Sequence, residues 1–380
     1  MEISRNEKVK IELDSIAMSR SESDQDNYLI LDVINHGTPI IQFSNCESFE
    51  APPFNLCKND CDKRRMMASI LTMGTARRIT KFSANNVARN IDLVMNLYQY
   101  MQEFDASFIE EDAFLKNISL PLMYEDFVLG FHTYQKNRLF HFGTPIETQY
   151  RDILQLGYFK EDVNYPYITR NGEYFDSISV HEIISSKNLI KLVSKNVLIT
   201  GLKLGYLPYL AHCKESVEKV TIVEEDEAVI SLFEKEILPQ FSHPEKIQII
   251  HSDVDSFLKE SDFNYDFVLF NHYSDSMHGV YEYVKIKELE KKHKKTKFIY
   301  ALEDSILSNI KSALLIICMA ESSDQREELY HNLIENQEGE ELILFLKPYF
   351  EQYQIQNVNS LKKLFQNQFL KKYFGNAFKQ

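Results

Sequence analysis

Asn196-Val-Leu-Ile-Thr200-Gly201-Leu-Lys203-Leu-Gly205-Tyr206, followed by Lys219-Val-Thr-Ile-Val223-Glu224, is the stretch that decides the fold. A short apolar run ends in a tight turn, and Leu207 to Cys213 begins a helix before the second run. A continuous apolar run, rather than an alternating one, suits a strand covered on both faces. The pattern repeats downstream. Lys246 to Ile250 ends near Asp253, Tyr265 to Phe270 ends at Asn271, and Thr296 to Ala301 makes a fifth run. Strands alternating with helices at this spacing predict an α/β fold with a doubly wound, mostly parallel sheet. Upstream, Asn171-Gly172 sits between two β-rich runs, Tyr167 to Arg170 and Glu173 to Val180. That dipeptide predicts a hairpin with a type I′ turn, and a helix from His181 to about Val193 follows.

The remaining sequence is organised around this core. Residues 1–155 read as a mostly helical N-terminal domain on the substrate side, with strands expected before residue 30 and over 28–43 and helix from Asp62 to about Asn137. Residues 156–190 hold the β-hairpin and connecting helix, 191–320 the Rossmann-like domain and 321–380 a helical extension. Two domains with a tail suit 380 residues. Glycine is scarce at 11 residues, so a pair at 201 and 205 marks a turn that needs positive φ. The 42 basic and 56 acidic residues leave a formal charge of −14, which gives no general attraction for nucleic acid or anionic lipid.

The longest apolar run, Ala313 to Ala320, is too short to cross a membrane. Met1 to Lys8 contain no apolar segment, so no signal peptide is expected, and the five cysteines read as reduced thiols in a cytoplasm. Cys46, Cys57 and Cys61, with His36 nearby, lack the spacing of a zinc finger, and no metal is expected. Lys63-Arg64-Arg65 and Arg77-Arg78 read as a solvated helix face.

In an open parallel sheet, ligands bind outside the carboxyl ends of the strands. Those ends carry Gly201 to Tyr206, Glu224, Asp253 and Asn271. Glu224 follows Gly205 by 19 residues, the spacing of a carboxylate that holds ribose hydroxyls. Asp253 is placed to accept from an adenine amino group. A dinucleotide site requires G-x-G-x-x-G, but its middle and last glycines are here Lys203 and Tyr206, which disfavours NAD. S-adenosylmethionine carries no phosphate and fits this pattern better.

Residues from about Leu156 to Leu307 resemble the spermidine-synthase-like branch of the class I S-adenosylmethionine-dependent methyltransferases. Val197 to Tyr206 carries the glycine motif and Val220 to Asp226 the E-x-D motif. Ile237-Leu-Pro-Gln-Phe241, Ile249 to Asp253, and Asn171-Gly172 to Glu182 carry the rest. The resemblance implies a seven-stranded sheet, S-adenosylmethionine or its decarboxylated form as cofactor, and a homodimer. It implies Glu224 on the ribose, Asp253 on the adenine, and Gly201, Lys203 and Gly205 at the methionine end.

Two departures stand out. Lys203 replaces the middle glycine. Asn271 stands where aminopropyltransferases place a proton-accepting aspartate, and an amide is no base near neutral pH. Asn271 and Tyr273 are the candidates to orient an amine, and Asp275, His272 or Asp176 to take its proton. His181 and Glu182 read as helix-capping residues. The expected activity is transfer of a methyl or aminopropyl-type group to a small amine or peptide-linked acceptor. The alternative is a non-catalytic binding protein that keeps the fold.

Overall fold

The structure is a computed structural model that describes residues 1–4, 6–36, 59, 61–62, 64–68, 86–148, 150–260, 263–272, 275–322 and 337–376. Residues 37–43, Cys46, Cys57, Lys63, Arg77, Arg78 and Tyr273 lie outside that set.

A two-residue strand, β1 (Glu2–Ile3), leads into α1 (Glu7–His36). The buried positions of α1, Val9, Leu13, Ile16, Arg20, Ser23, Ile30 and Ile34, form one helical face. The strands expected before His36 are therefore replaced by helix, and the one expected from Pro39 to Phe43 lies outside the described residues. The middle of the face is polar, so Arg20 and Ser23 hide the period, and Ile11, which suggested alternation with Val9 and Leu13, is exposed. Ile30 and Ile34 pack with Leu93 and Leu97 of α2 (Asn86–Tyr100).

The helical pattern stops at Tyr100 rather than near Asn137. β2 (Met101–Phe104), α3 (Ser107–Glu110), α4 (Ala113–Asn117), β3 (Met123–Tyr124), β4 (Phe127–Tyr134) and β5 (Phe140–Thr148) follow. Aromatic residues favour a pleated surface, and here they pack on one another. The Tyr134 and Phe140 ring centroids are 4.2 Å apart, and those of Phe104 and Phe142 5.0 Å. β6 (Arg151–Phe159) pairs with β2 and β5. β7 (Val163–Arg170) and β8 (Glu173–Ser177) form the predicted hairpin. Arg170 pairs with Glu173, and the turn has φ values of 52° at Asn171 and 84° at Gly172, as a type I′ turn requires.

The helix α5 (Val180–Lys191) begins at Ser179, whose side chain accepts the Glu182 N–H. The α/β core then runs β9 (Lys195–Thr200), α6 (Tyr206–Cys213), β10 (Val217–Glu224), α7 (Glu227–Leu232), β11 (Ile247–His251), α8 (Val254–Glu260), β12 (Phe267–Phe270), α9 (His278–Glu290) and β13 (Lys297–Tyr300). Its five strands are all parallel in the order β11-β10-β9-β12-β13. That is the doubly wound order 3-2-1-4-5, as expected from the sequence.

Successive residues of β9 enter different cores. Val197 and Ile199 join Phe104, Phe127 and Phe159 on one side of the sheet. Leu198 joins Val9, Tyr283 and Leu314 on the other. Both faces are covered, which is why the strand reads as a continuous apolar run.

The sheet has five strands among the described residues, not the seven implied by the resemblance. After β13 the chain enters α10 (Glu303–Ser322), which buries Ile306, Ile310, Leu314 and Ile317. Then come α11 (Gln337–Phe350), β14 (Gln354–Ile355), α12 (Val358–Leu364) and α13 (Asn367–Asn376). β14 pairs in parallel with β1. No described helix is long and apolar enough to cross a membrane.

A buried polar joint ties α1, β5, β6 and α10 together. Arg20 reaches Asp152 at 3.3 Å, Ser308 Oγ at 2.9 Å and Ser312 Oγ at 3.0 Å. Lys311, 1% exposed, meets Glu147 at 2.8 Å. Burial pulls the Lys311 pKa below its ordinary value despite Glu147.

Two glycines test the backbone argument. Both adopt positive φ, but an added Cβ at Gly205 would lie 2.5 Å from the Phe233 ring, whereas at Gly172 nothing lies within 4 Å. Gly172→Ala is expected to cost about 1 kcal/mol through backbone strain alone. Gly205→Ala adds overpacking and is expected to cost about 2–4 kcal/mol. Urea midpoints of the two variants check the difference.

Candidate functional site

The turn after β9 must place its backbone N–H groups somewhere, since strand pairing ends there. Gly201 N–H goes to Val223 O at 2.9 Å, and Gly205 N–H to Leu202 O at 2.9 Å. Two carboxylates take the groups between them. Glu224 Oε2 accepts from Leu202 N at 2.8 Å, and Asp176 Oδ2 accepts from Leu204 N at 3.1 Å. The result is a turn with positive φ at Gly201, Lys203 and Gly205. Gly201 lines the opening, and a Cβ there would lie 2.8 Å from His272 Cα. Gly205 lies beneath the turn against Phe233.

Two adjoining clefts open above the carboxyl ends of the strands. The larger, about 770 Å³, is lined by Gly201, Lys203, Glu224 and Asp253 among others. The smaller, about 430 Å³, is lined by Tyr174, Asp176, Glu182, Lys203 and Asn271 among others. Phe175, Lys203 and His272 belong to both, so they form the partition. The larger cleft carries seven carboxylate side chains against two lysines. Such a surface favours a cationic ligand and opposes a polyphosphate.

Glu224 sits at the end of β10. Its Oε1 accepts the N–H groups of Glu225 and Asp226, both at 3.0 Å, while Oε2 accepts only Leu202. A carboxylate has about four acceptor positions, so Oε2 keeps capacity for a hydroxyl in the cleft. Asp226 is occupied otherwise, because it caps α7 and pairs with Arg170. Asp253 is exposed on the rim. Its Oδ1 accepts Ser256 N–H at 2.8 Å, and that bond holds its pKa below the ordinary aspartate value.

Asp176 is buried between hairpin and turn. Desolvation pushes its pKa up to about 6, with Glu182 adding to the rise and Lys203 opposing it. Glu182 accepts from Ser186 Oγ at 2.7 Å and faces Lys203 Nζ at 4.0 Å. The helix cap assigned to His181 and Glu182 is instead Ser179. His181 lines the smaller cleft, and burial lowers its pKa.

Asn271 is buried at the end of β12, with its N–H on Thr200 O at 3.1 Å. His272 makes contacts of 2.6 Å through Nδ1 to Thr200 Oγ1 and through Nε2 to Glu282. Asp275 lies off both clefts, where it accepts Met277 and His278 N–H at 2.8 and 2.9 Å and pairs with the His278 ring. Burial raises its pKa, but these bonds outweigh burial and leave it below the ordinary value. The fold thus gathers Gly201, Lys203, Glu224, Asp253, Asp176 and Asn271 around the two clefts. Glu282 and Lys285, on the wall from α9, carry no sequence signal, because only the packing of that helix brings them there.

The strand order, with the switch between β9 and β12, defines the chain as a doubly wound α/β protein. No protein-family model and no curated protein matches the sequence. Partial superpositions link it to solved structures. Spermidine synthase from Thermotoga maritima is 14% identical with a TM-score of 0.27, over 49% of this chain and 67% of that one. A spermidine synthase in complex with the transition-state analogue AdoDATO is 14% identical with a TM-score of 0.29, over 57% and 74%. A protein described as a transferase from Pyrococcus horikoshii is 12% identical with a TM-score of 0.23, over 37% and 53%. The fold assignment rests on the strand order itself.

The raised pKa of Asp176 has a thermodynamic consequence. The folded chain holds this proton more tightly than the unfolded chain, whose aspartate titrates near 3.8. Stability therefore falls as pH rises from about 4 to about 6. Asp176→Asn removes this dependence, so the variant gains on the wild type across that window. Urea midpoints of both proteins at pH 4, 5, 6 and 7 measure it, and parallel curves would refute the assignment.

Proposed function

We propose that this chain is a transferase that binds an adenosyl sulfonium, S-adenosylmethionine or its decarboxylated form, in the larger cleft. The observation that carries the reading is Glu224, a carboxylate held at the end of β10 with acceptor capacity left on Oε2. A ribose diol suits that position, and the acidic lining suits a sulfonium better than a phosphate. The acceptor, a small amine or peptide-linked amine, occupies the smaller cleft. Its nitrogen lone pair attacks the carbon attached to sulfur. The C–S bond breaks with its electron pair going to sulfur, which leaves a neutral thioether, and the new ammonium loses a proton. The sulfonium is already activated, so alignment supplies most of the catalysis. Asn271 orients the amine, and Asp176 is the carboxylate on that side able to take the proton. Asp275, tied to α9, is not in reach.

A second reading is a binding protein that keeps the fold without the chemistry, and Asn271 favours it. Calorimetry on the whole chain separates the possibilities. S-adenosylmethionine or its decarboxylated form should bind and NAD should not. Glu224→Gln loses the charge, and its single amide oxygen cannot accept from both Leu202 and the Glu225–Asp226 pair, so it is expected to weaken binding about 10-fold or more. No heat with any adenosyl-sulfur ligand would overturn the proposal, and binding without product from any amine would favour the second reading.

A further inference from the structure

Lys203 is the cationic group in the partition between the two clefts, and its placement costs energy. It has φ of 49°, in the left-handed region that a lysine enters at a cost of roughly 1 kcal/mol. The side chain is not packed away, since it is about one-third exposed and lines both clefts. Its Nζ lies 4.0 Å from Glu182 Oε2, beyond hydrogen-bond length. Burial pulls its pKa down, but Glu182, Asp176 and Tyr174 hold it above the ordinary lysine value, so the ammonium stays charged. Asp176 and Glu182 approach from the hairpin and from α5. Lys203 in the partition therefore faces carboxylates on the smaller-cleft side, the nearest being Glu182.

We infer that Lys203 and Glu182 form a subsite for the zwitterionic end of an α-amino acid, so that the chain takes S-adenosylmethionine in preference to its decarboxylated form. This rests on the nucleoside reading of the larger cleft given above. An amino-acid end carries a carboxylate and an ammonium on one carbon. The carboxylate pairs with Lys203, whose compact charge and three rotatable N–H donors suit it. The ammonium pairs with Glu182, which leaves Asp176 to the acceptor amine. A decarboxylated end offers only the ammonium, which leaves Lys203 beside a second cation with nothing to neutralise it. Glycine at this position would make no such distinction. Lys203 is thus a specificity-determining residue.

Calorimetry with three ligands on the wild-type chain and on Lys203→Gln tests this. The ligands are S-adenosylmethionine, its decarboxylated form, and methylthioadenosine, which has no amino-acid end. The wild type should bind S-adenosylmethionine about 10-fold or more tighter than the decarboxylated form. Lys203→Gln should erase that preference by weakening S-adenosylmethionine alone, with methylthioadenosine affinity unchanged, and Lys203→Arg should restore part of it. Methylthioadenosine affinity retained by the variant also shows that it is folded. Equal affinity for the two donors in the wild type, a preference for the decarboxylated form, or an equal effect of Lys203→Gln on both donors would overturn the inference and leave the nucleoside reading standing. No binding of any of the three ligands to the wild type would overturn both.

Discussion

Two carboxylates shape the turn after β9. Backbone N–H groups released at the end of a central strand need acceptors, and here Glu224 and Asp176 supply two of them from opposite sides. The turn is consequently preorganised by the protein's own charge rather than by a ligand. Everything around it follows from that geometry. Gly201 must yield to His272, Gly205 must yield to Phe233, and Lys203 is directed into the partition between the clefts. The hairpin is drawn into the same arrangement, because Asp176 belongs to β8 while Arg170 of β7 reaches Asp226 at the start of α7.

The α/β core was legible because its strands are buried on both sides and therefore apolar throughout, and because Asn171-Gly172 has a narrow conformational meaning. The N-terminal helix was not. Its inward face carries Arg20 and Ser23 in place of apolar residues, so local periodicity was masked by an interaction with Asp152 and Ser308, far away in sequence. The aromatic strands between Met101 and Tyr134 were misread as helix for a related reason. Their register is fixed by partners such as Tyr165 and Tyr167, which no local window contains.

The site was legible in the same uneven way. Residues at strand ends, Gly201, Glu224, Asp253 and Asn271, were found by position, since the topology of a doubly wound sheet assigns those positions to the cleft. Asp275 was chosen by proximity in sequence to Asn271, yet hydrogen bonds to its own helix carry it away. The glycines needed a correction of reason. Their positive φ was foreseen, but what forbids a side chain is the neighbouring His272 backbone and Phe233 ring.

The pairing of β1 with β14 sets Glu2 against Gln354, and Arg20 of α1 lodges against Ser308 and Ser312. Synthesis runs from the amino end, so α1 emerges long before Ser308, Ser312 and β14 exist. Ile30 and Ile34 have Leu93 and Leu97 to pack on early, but Arg20 meets Ser308 and Ser312 only once most of the polypeptide has been made. β1 likewise has no partner strand until Gln354 and Ile355 are made.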